Sequence, residues 1–401
     1  MDKTNDPIVI GLGAMGSAAA YQLANRGARV VGIDQFDPPH TWGSSHGDTR
    51  ITRLAIGEGA FYTPLVMRSH ALWRAIEHET GREILVTTGG LILSSTAQTD
   101  YGRIANFFQN TIQAAQAYHI AHTQLNADQI RARFPQFNLQ ADEVGYFEKE
   151  AGFVRPEAAI RAQLELAQKY GAQMHTHEKV LGYQAKAGKV VVKTTRGEYT
   201  AAKLILAAGA WLPELLRTEL LRAEVLRPEL SRFFKVYRQV LYWFDPGEAL
   251  ADFSPGAFPV FIWELQGQDR IIYGFPALEA QGGVKIATEQ YQTTTSPETV
   301  DRHVGVEEIQ AMYANFVHPY FPGLSSRCIK AVACLYTVTP DFGFVIDRHP
   351  EYENVILASP CSGHGFKHSA AIGEVLAQLV LDGRSEIDIH AFSLGRFGQV
   401  A

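Results

Sequence analysis

The stretch Pro7-Ile-Val-Ile-Gly-Leu-Gly-Ala-Met-Gly16 decides which fold this sequence predicts. Residues 7–10 form a short apolar run typical of a buried strand, and the segment 17–27, rich in alanine and leucine, predicts a helix. Residues 28–33 then supply a second strand. Strand, glycine-rich turn, helix and strand in this order form a βαβ unit, which indicates an α/β domain built on a parallel sheet.

The three glycines of this turn have the spacing GxGxxG. Gly11 permits a tight turn, Gly13 lets a pyrophosphate approach the backbone, and Gly16 allows helix and strand to pack closely. The positive end of the helix dipole attracts phosphate. Asp34 follows about 20 residues later, where a carboxylate can bind a ribose hydroxyl. We interpret the turn as a dinucleotide site rather than a plain glycine-rich turn, although the motif does not separate FAD from NAD.

The composition is that of an ordinary globular protein and argues against nucleic acid as a partner. Of the 401 residues, 46% are hydrophobic and 19% are charged. A chain of this length exceeds what one hydrophobic core supports, so we expect two cores or an inserted second domain. The net charge of -6 comes from 36 basic and 42 acidic residues. They form no basic stripe that could hold a phosphate backbone.

The cysteines and the apolar segments indicate the cellular compartment in which we expect the protein. Cys328, Cys334 and Cys361 lack CxxC spacing, which argues against a disulfide framework or a zinc site and favours a reducing compartment. Apolar stretches such as residues 204–212 fall short of the ~18 residues that cross a bilayer. Residues 1–6 are net acidic, unlike the start of a signal peptide. We therefore expect a cytoplasmic protein.

The pattern along the chain predicts two domains, the second inserted into the first. Helix signals begin at Thr63, with Pro64 in the first turn, and again at Pro156, each in a segment with strand-like neighbours. Between these regions the sequence becomes irregular and richer in aromatic residues, which indicates a separate unit. We predict a dinucleotide-binding domain formed by residues 1–83, 146–217 and 328–401, and a substrate domain formed by residues 84–145 and 218–327.

Two polar segments outside the glycine turn are candidates for binding. Residues 42–53 combine two serines, a histidine, an aspartate and two arginines, although a solvated surface loop explains the same composition. Residues 360–369 place two glycines, two histidines and Lys367 where a helix begins, so that N–H groups and an ammonium could hold negative charge. A glycine-rich helix start with an exposed lysine is the alternative.

Two single residues, Lys285 and Cys334, are weaker candidates for a chemical role. Lys285 lies beside apolar residues in a predicted strand, where an edge lysine is the simpler interpretation. Cys334 lies in the apolar run 331–337, where a buried packing cysteine is the simpler interpretation. Physical arguments alone therefore give neither residue a chemical role.

Together these motifs resemble the monomeric sarcosine oxidase and N-methyltryptophan oxidase family. The resemblance implies FAD as the cofactor, held by a Rossmann-like α/β domain, with an inserted α+β domain whose large mixed or antiparallel sheet covers the flavin. It also implies oxidation of a small N-substituted amino acid by O2 through an imine, giving an amino acid, an aldehyde and hydrogen peroxide. The segments that carry the resemblance are residues 11–16, 34–40, 43–50, 273–276, 333–336 and 362–367.

The resemblance also implies a role for each matching residue. Cys334 matches the cysteine that binds FAD through a thioether, and Arg53 and Lys367 match the pair that binds the substrate carboxylate. Lys285 matches the lysine at which oxygen is activated. The residues expected around the flavin and the amine are His46, Arg50, Tyr273 and Tyr336. The residues expected to bind the cofactor besides Cys334, His46, Arg50 and Lys367 are Gly11, Gly13, Gly16, Asp34, Gln35, His40, Ser44, Ser45, Gly209, Trp211, Gly363, His364, Gly365 and Phe366.

One departure from the family and two alternatives accompany this reading. Four residues after Lys285 the family carries a histidine, whereas this chain has Glu289, which implies a pocket of different polarity. The alternatives are a cyclic imino acid oxidase or amine dehydrogenase on the same scaffold, and a flavin-binding assembly or sensor protein without turnover. The expected partners are a small N-substituted amino acid and O2, with no nucleic acid, membrane or metal, and the expected state is a monomer.

Overall fold

An α/β unit and a unit built on a large mixed sheet pack together in this protein. The computed structural model describes residues 7–95, 104–186, 188–217, 230–265, 271–278 and 282–398. Residues 1–6, which carried the expectation about a signal peptide, lie outside the described residues. So do residues 218–229, where the second piece of the predicted substrate domain begins.

The described part of the chain contains eight α-helices, and none of these combines the length and the apolar composition of a membrane span. The helices expected at Pro64 and Pro156 are confirmed, whereas the first helix begins earlier than predicted, directly after Gly13. The helices are α1 (Ala14–Asn25), α2 (Thr63–Thr80), α3 (Phe107–Ala117), α4 (Ala127–Arg133), α5 (Pro156–Lys169), α6 (Leu212–Arg217), α7 (Val306–Met312) and α8 (Ser369–Leu381).

The strands of the described residues fall into four sheets. The strands are β1 (Ile8–Ile10), β2 (Val31–Ile33), β3 (Arg50–Thr52), β4 (Leu85–Thr87), β5 (Gly90–Ser95), β6 (Thr123–Asn126), β7 (Glu143–Glu148), β8 (Gly152–Val154), β9 (Gln173–His175), β10 (Val180–Lys186), β11 (Lys189–Thr194), β12 (Glu198–Ala201), β13 (Leu204–Leu206), β14 (Lys235–Phe244), β15 (Val260–Glu264), β16 (Ile271–Phe275), β17 (Val284–Thr288), β18 (Thr294–Thr295), β19 (Cys328–Val338), β20 (Val345–Arg348) and β21 (Val355–Ser359).

The α/β unit is organised around the strand order β20-β21-β13-β1-β2-β9. Its central strands are parallel and fully buried, as the continuous apolar runs predict, and only β20 runs antiparallel to its neighbour among the described strands. Helix α1 packs against α5 and α8. A Cβ at Gly373 of α8 would lie 2.5 Å from the Cβ of Ala18, so small residues allow these helices to approach closely. This packing holds α1 in place, and α1 begins directly after Gly13 of the glycine-rich turn.

The second unit is a nine-stranded sheet with the path β18-β14-β17-β16-β15-β5-β7-β6, and β19 pairs with β14. The pairing is antiparallel except between β15 and β5, so the sheet is mixed. One face is covered by an aromatic cluster that includes Phe258, Phe261, Trp263 and Phe321. Because successive side chains alternate between faces, the other face is free to line a site. The predicted fold class, α/β with an inserted domain that carries a large mixed sheet, is confirmed.

Strand pairing indicates where the boundary between the two units lies in the sequence. Strand β19 pairs with β14 from Phe244↔Cys328 to Lys235↔Val338, so residues 328–338 belong to the large sheet. The predicted segment 328–401 of the first domain begins with these residues. The pairing supports a boundary after Val338, and we propose the division into discontinuous domains with that adjustment.

Candidate active site

The glycine-rich turn forms its part of the site with backbone alone. Gly11 has a φ of 84°, and a Cβ there would lie 2.6 Å from the carbonyl oxygen of Ala207. A Cβ at Gly16 would lie 1.7 Å from the carbonyl oxygen of Gly11, whereas the nearest atom to a Cβ at Gly13 would be Ser45 Oγ at 3.9 Å. The first and third glycines are therefore required by the packing of the turn itself. The middle glycine presents bare backbone to open space, where a phosphate can approach.

Asp34 ties this turn to the end of β2. The N–H of Leu12 donates to Asp34 Oδ2 at 2.7 Å, and the N–H of Phe36 donates to Oδ1 at 2.9 Å. Burial raises the pKa of Asp34, while these two donors oppose the rise. A carboxylate has about four acceptor positions, so the side chain retains capacity for ribose hydroxyls.

A cavity of about 330 Å³ extends from the glycine-rich turn towards the large sheet. Residues from all three predicted segments of the first domain contribute to its wall, although they are far apart in sequence. The predicted cofactor residues that line it are Gly11, Gly13, Asp34, Gln35, His40, Ser44, Ser45, Arg50, Gly209, Trp211, Gly363, Gly365 and Phe366.

Unsatisfied polar atoms in this wall fit FAD. Ser44 Oγ and Thr337 Oγ1 are buried without a hydrogen-bond partner among the described residues, and both residues line the cavity. Buried hydroxyls are rarely left unpaired, because losing water without a replacement costs free energy. FAD offers phosphate, ribose and ring acceptors along its length. The donors and the glycine-lined backbone are thus suited to hold it.

The loop from Ser44 to Arg50 is fixed by charged side chains from both units. Glu157, in the first turn of α5, accepts the N–H groups of Gly47 at 2.7 Å and Asp48 at 3.2 Å. Arg50 donates to the carbonyl oxygen of Ser44, and Lys285 of β17 donates to the carbonyl oxygens of Gly47 and Thr49, both at 2.8 Å. The polar cluster predicted from composition is therefore a structured loop and not a solvated one.

Lys285 is buried, with 1% of its surface exposed. Its ammonium lies 3.9 Å from the centre of the Phe275 ring. Burial lowers the pKa of Lys285 well below its ordinary value, and the charge of Arg50 lowers it further. An ammonium has three donors, and two of them are used by the loop carbonyls. The interpretation of an exposed edge lysine is wrong.

Arg53 and Lys367 converge on one carboxylate. Arg53 Nη2 donates to Glu58 Oε2 at 2.5 Å, and Lys367 Nζ donates to Glu58 Oε1 at 3.4 Å. Lys367 Nζ also donates to the carbonyl oxygen of His364 at 2.8 Å. The side chains of Arg53, Lys367 and Glu58 are 5%, 3% and 4% exposed. We call these two cations the carboxylate clamp, and the alternative of an exposed lysine at position 367 is wrong.

The large sheet helps to hold Arg53 in place. Glu148 of β7 accepts the N–H groups of Leu54 at 2.6 Å and Ala55 at 3.1 Å, directly after Arg53 in the chain. Tyr146 OH donates to the same carboxylate at 3.0 Å. The guanidinium carbon of Arg53 lies 5.2 Å from the centre of the Phe107 ring, which supports it from the side.

The sheet contributes a pair of tyrosines and a thiol opposite the clamp. Tyr273 of β16 and Tyr336 of β19 have their hydroxyl oxygens 3.2 Å apart. Cys334 lies two residues before Tyr336, is buried, and carries a free thiol. Burial raises its pKa, while the charges of Arg50 and Lys285 lower it. These cations are part of the electropositive setting that thiolate chemistry needs.

A second cavity, of about 90 Å³, lies between the clamp and the sheet. It adjoins the first, because Arg50, Tyr336, Gly363 and Phe366 line both. The predicted residues in its wall are Arg50, Arg53, Tyr273, Lys285, Cys334, Tyr336, Gly363, His364, Phe366 and Lys367.

Two predicted cofactor residues line neither cavity. Gly16 packs beneath the turn against Gly11, so its contribution is to the backbone shape. His46 is buried, and its Nε2 has no hydrogen-bond partner among the described residues. Burial, followed by the charge of Arg50, lowers the pKa of His46 to about 3, so the ring is neutral at ordinary pH.

Sequence reasoning missed several residues of the second cavity. Glu58 is the most important of them, and its only sequence signal is an acid between Gly57 and Gly59 shortly after an arginine. Apolar residues of the wall, such as Ile104 and Phe107, carry no signal, because they resemble any core residue.

Comparison with known proteins agrees with this geometry. A family model described as FAD dependent oxidoreductase matches residues 6–379. The chain is 40% identical to a monomeric sarcosine oxidase of Streptomyces avermitilis over 98% of this chain and 97% of that protein. It is 34% identical to an N-methyl-L-tryptophan oxidase of Yersinia pestis over 98% of this chain and 99% of that protein. The resemblance inferred from the motifs is confirmed.

Solved structures share the fold at lower identity. The open form of NikD, described as an unusual amino acid oxidase, has a TM-score of 0.82 at 21% identity and covers 98% of each chain. L-proline dehydrogenase from P. horikoshii has a TM-score of 0.79 at 21% identity, covering 99% of this chain and 98% of that one. The family model covers residues 6–379, and the two relatives named above are more than 30% identical to this chain. The chain therefore belongs to the FAD-dependent oxidoreductases, among which it is similar to enzymes that act on amine donors.

Proposed function

We propose that this protein is an FAD-dependent oxidase of N-methyl amino acids, with sarcosine and N-methyltryptophan as model substrates. The observation that carries the proposal is the carboxylate clamp. Arg53 and Lys367 already contact one carboxylate, that of Glu58, in a cavity that adjoins the proposed cofactor cavity. The products are an imine, which hydrolyses to an amino acid and an aldehyde, and hydrogen peroxide.

The clamp suits a substrate carboxylate for geometric and electrostatic reasons. The guanidinium of Arg53 presents a planar set of donors, and its Nε has no hydrogen-bond partner among the described residues. Lys367 adds a second positive charge from another segment. In a buried cavity both interactions are stronger than in water, so they can orient a small zwitterion. The carboxylate of Glu58 is the internal anion that such a substrate would replace.

When bound, FAD supplies a two-electron acceptor for the substrate and a donor for O2. The residues that would hold it are those of the glycine-rich turn, Asp34 and the loop from Ser44 to Arg50. The hydroxyls of Tyr273 and Tyr336 would border the amine from the sheet side. The clamp would keep the substrate carboxylate fixed while the surrounding apolar residues exclude water.

Lys285 is proposed to favour the reaction with oxygen. A fixed cation stabilises negative charge that develops on dioxygen, and such preorganised charge is effective where water is excluded. The carbonyl oxygens of Gly47 and Thr49 orient the ammonium. Burial lowers the pKa of Lys285, while the negative charges of Asp48 and Glu157 oppose this and favour the charged form. One donor remains for the cavity that Lys285 lines.

The covalent link between FAD and Cys334 is also part of the proposal. Its support is the burial of a free thiol in the wall of the second cavity, near the charges of Arg50 and Lys285. Purified protein precipitated with acid should keep its yellow colour in the pellet. Complete release of the colour into the supernatant would remove the covalent link. The monomeric state and the cytoplasmic location remain predictions.

The function itself is tested by mixing the holoenzyme anaerobically with sarcosine, N-methyl-L-tryptophan, pipecolate, proline or glycine. Either N-methyl compound should bleach the flavin absorbance, whereas glycine, which lacks the N-substituent, should not. Admission of air should restore the colour and release about one peroxide per flavin. Bleaching only by pipecolate or proline would favour the cyclic imino acid alternative. Absence of bleaching by every amino acid would reject the proposed function.

A further inference from the structure

Strand β17 and the residue that follows it place Lys285 and Glu289 in the wall of the second cavity. Residues 285, 287 and 289 alternate with residues that point to the opposite face, because side chains repeat every two positions in a strand. Ala287 pairs with Tyr273, and Lys285 pairs with Phe275, which places these side chains on one face. Glu289 follows directly after the strand, continues this alternation, and lines the same cavity as Lys285.

The two charged residues of this face lie far apart. Four residues of extended chain span about 13 Å, so Lys285 and Glu289 are at opposite ends of this wall. The small side chain of Ala287 lies between them, is buried, and packs in the same apolar cluster as the tyrosine pair. Burial raises the pKa of Tyr336, and the negative charge of Glu289 raises it further. Glu289, Tyr273 and Tyr336 line the same cavity, so the carboxylate borders its tyrosine end.

The acids in the described wall of the cavity are Glu58 and Glu289. Glu58 is engaged by the clamp on the side of the α/β unit, whereas Glu289 comes from the sheet. Arg53 and Lys367 thus border the cavity from the side of the clamp, whereas Lys285 and Glu289 border it from the sheet. The cations that line the cavity are Arg50, Arg53, Lys285 and Lys367.

We propose that Glu289 is a specificity-determining residue that recognises the positively charged nitrogen of the substrate. A zwitterion whose carboxylate is bound by Arg53 and Lys367 would turn its ammonium towards the sheet. Glu289 offers that ammonium an opposite charge, so the cavity selects amino acids bound as zwitterions over carboxylates of the same shape. This inference rests on the proposed function, because it takes the clamp as the site of the substrate carboxylate.

Two unreactive ligands of the same shape test the effect of the positive charge on nitrogen by itself. N,N,N-trimethylglycine carries a permanent positive charge on nitrogen, and 3,3-dimethylbutanoate has the same shape with a neutral carbon in that place. Neither can be oxidised as a secondary amine, so binding to the oxidised holoenzyme can be measured by isothermal titration calorimetry. The wild type should bind the charged ligand about 10-fold more tightly than the neutral one, since attraction between opposite charges is large in a partly buried site.

The variant Glu289→Gln should reduce this preference to less than about 2-fold, since the amide keeps the shape of the side chain and removes its charge. Glu289→Asp should retain a preference, because the charge remains. Glu307→Gln is the matched control, since it removes one negative charge from an exposed position in α7 and should leave the preference unchanged.

The outcomes separate the two claims. Equal affinity for both ligands in the wild type, or an undiminished preference in Glu289→Gln, would overturn the role of Glu289 while leaving the clamp intact. Failure of the wild type to bind either carboxylate would contradict the clamp and, with it, the proposed function. A preference that disappears only in Glu289→Gln would support the inference.

Discussion

The cofactor side and the amine side of the site are built in different ways. On the cofactor side, the turn from Gly11 to Gly16 presents backbone, and its shape follows from contacts within one short stretch. On the amine side, Arg53, Lys285 and Lys367 come from three distant segments and are held by carbonyl oxygens and by Glu58. A site made of local backbone tolerates almost no substitution, whereas a site made of side chains can be altered one charge at a time.

The largest effect is expected on the cofactor side of the site, for a variant of the glycine-rich turn. Gly16→Ala places a Cβ 1.7 Å from the carbonyl oxygen of Gly11, so helix α1 must shift and the protein should lose both flavin and stability. We expect a loss on the order of 3 kcal/mol or more in the free energy of unfolding, as for overpacked cores. Flavin content after purification and denaturant titration measure the two effects.

Gly13→Ala is the matched control for this prediction. Its Cβ would meet Ser45 Oγ at 3.9 Å, an ordinary contact, and would project towards the space where a phosphate approaches. This variant should fold with near-native stability yet bind flavin poorly. If both alanine variants were equally unstable, or if both bound flavin normally, the assignment of separate roles to these glycines would be wrong.

A smaller effect is expected on the amine side when Glu58 is changed. Glu58→Gln removes the internal anion that competes for the clamp and leaves Arg53 and Lys367 without their carboxylate. The variant should be less stable than the wild type by about 3 kcal/mol, because buried charges lose their partner. Added acetate should raise its melting temperature more than it raises that of the wild type, since acetate can occupy the clamp. Equal acetate shifts in the two proteins would show that Glu58 does not compete for this site.

A buried acid that lies outside the carboxylate clamp extends the comparison to the effect of pH on stability. Glu264 of β15 is 3% exposed, and burial raises its pKa to about 7, although a hydrogen bond from Ser94 opposes the rise. Because the folded-state pKa is raised, the protonated form stabilises the protein at low pH, and this stability is lost as the pH rises through about 7. Glu264→Gln cannot lose a proton there.

The variant Glu264→Gln should therefore gain stability relative to the wild type between pH 5 and pH 8, by on the order of 1 to 3 kcal/mol. Thermal unfolding of both proteins at several pH values measures the difference. A gap between the two proteins that stays constant with pH would contradict the raised pKa of Glu264.

The features that the sequence predicted are the local ones, like those on the cofactor side of the site. The glycine-rich turn, helix α2 from Thr63 and helix α5 from Pro156 are local signals, and the structure bears them out. Lys285 and Cys334 looked like ordinary strand residues, because their surroundings come from segments far away in sequence. Only the family resemblance gave them roles.

The topology also decides features that no local pattern reveals. Strand β19 pairs with β14, so residues 328–338 join the large sheet rather than the α/β unit. Glu58 reaches the clamp because Glu148, on another strand, holds the segment after Arg53. Such contacts depend on pairing over long sequence distances, which composition and periodicity do not encode.

The central claim is that one cationic pair, Arg53 and Lys367, binds the carboxylate of the substrate, and that a separate lysine, Lys285, favours the reaction with oxygen. Stopped-flow measurement of the two half-reactions in Arg53→Gln and Lys285→Met tests it most directly. Arg53→Gln should slow flavin reduction by substrate about 100-fold with little change in reoxidation, and Lys285→Met should slow reoxidation about 100-fold with little change in reduction. If each variant slowed both half-reactions equally, the division of the site into these two functions would be contradicted.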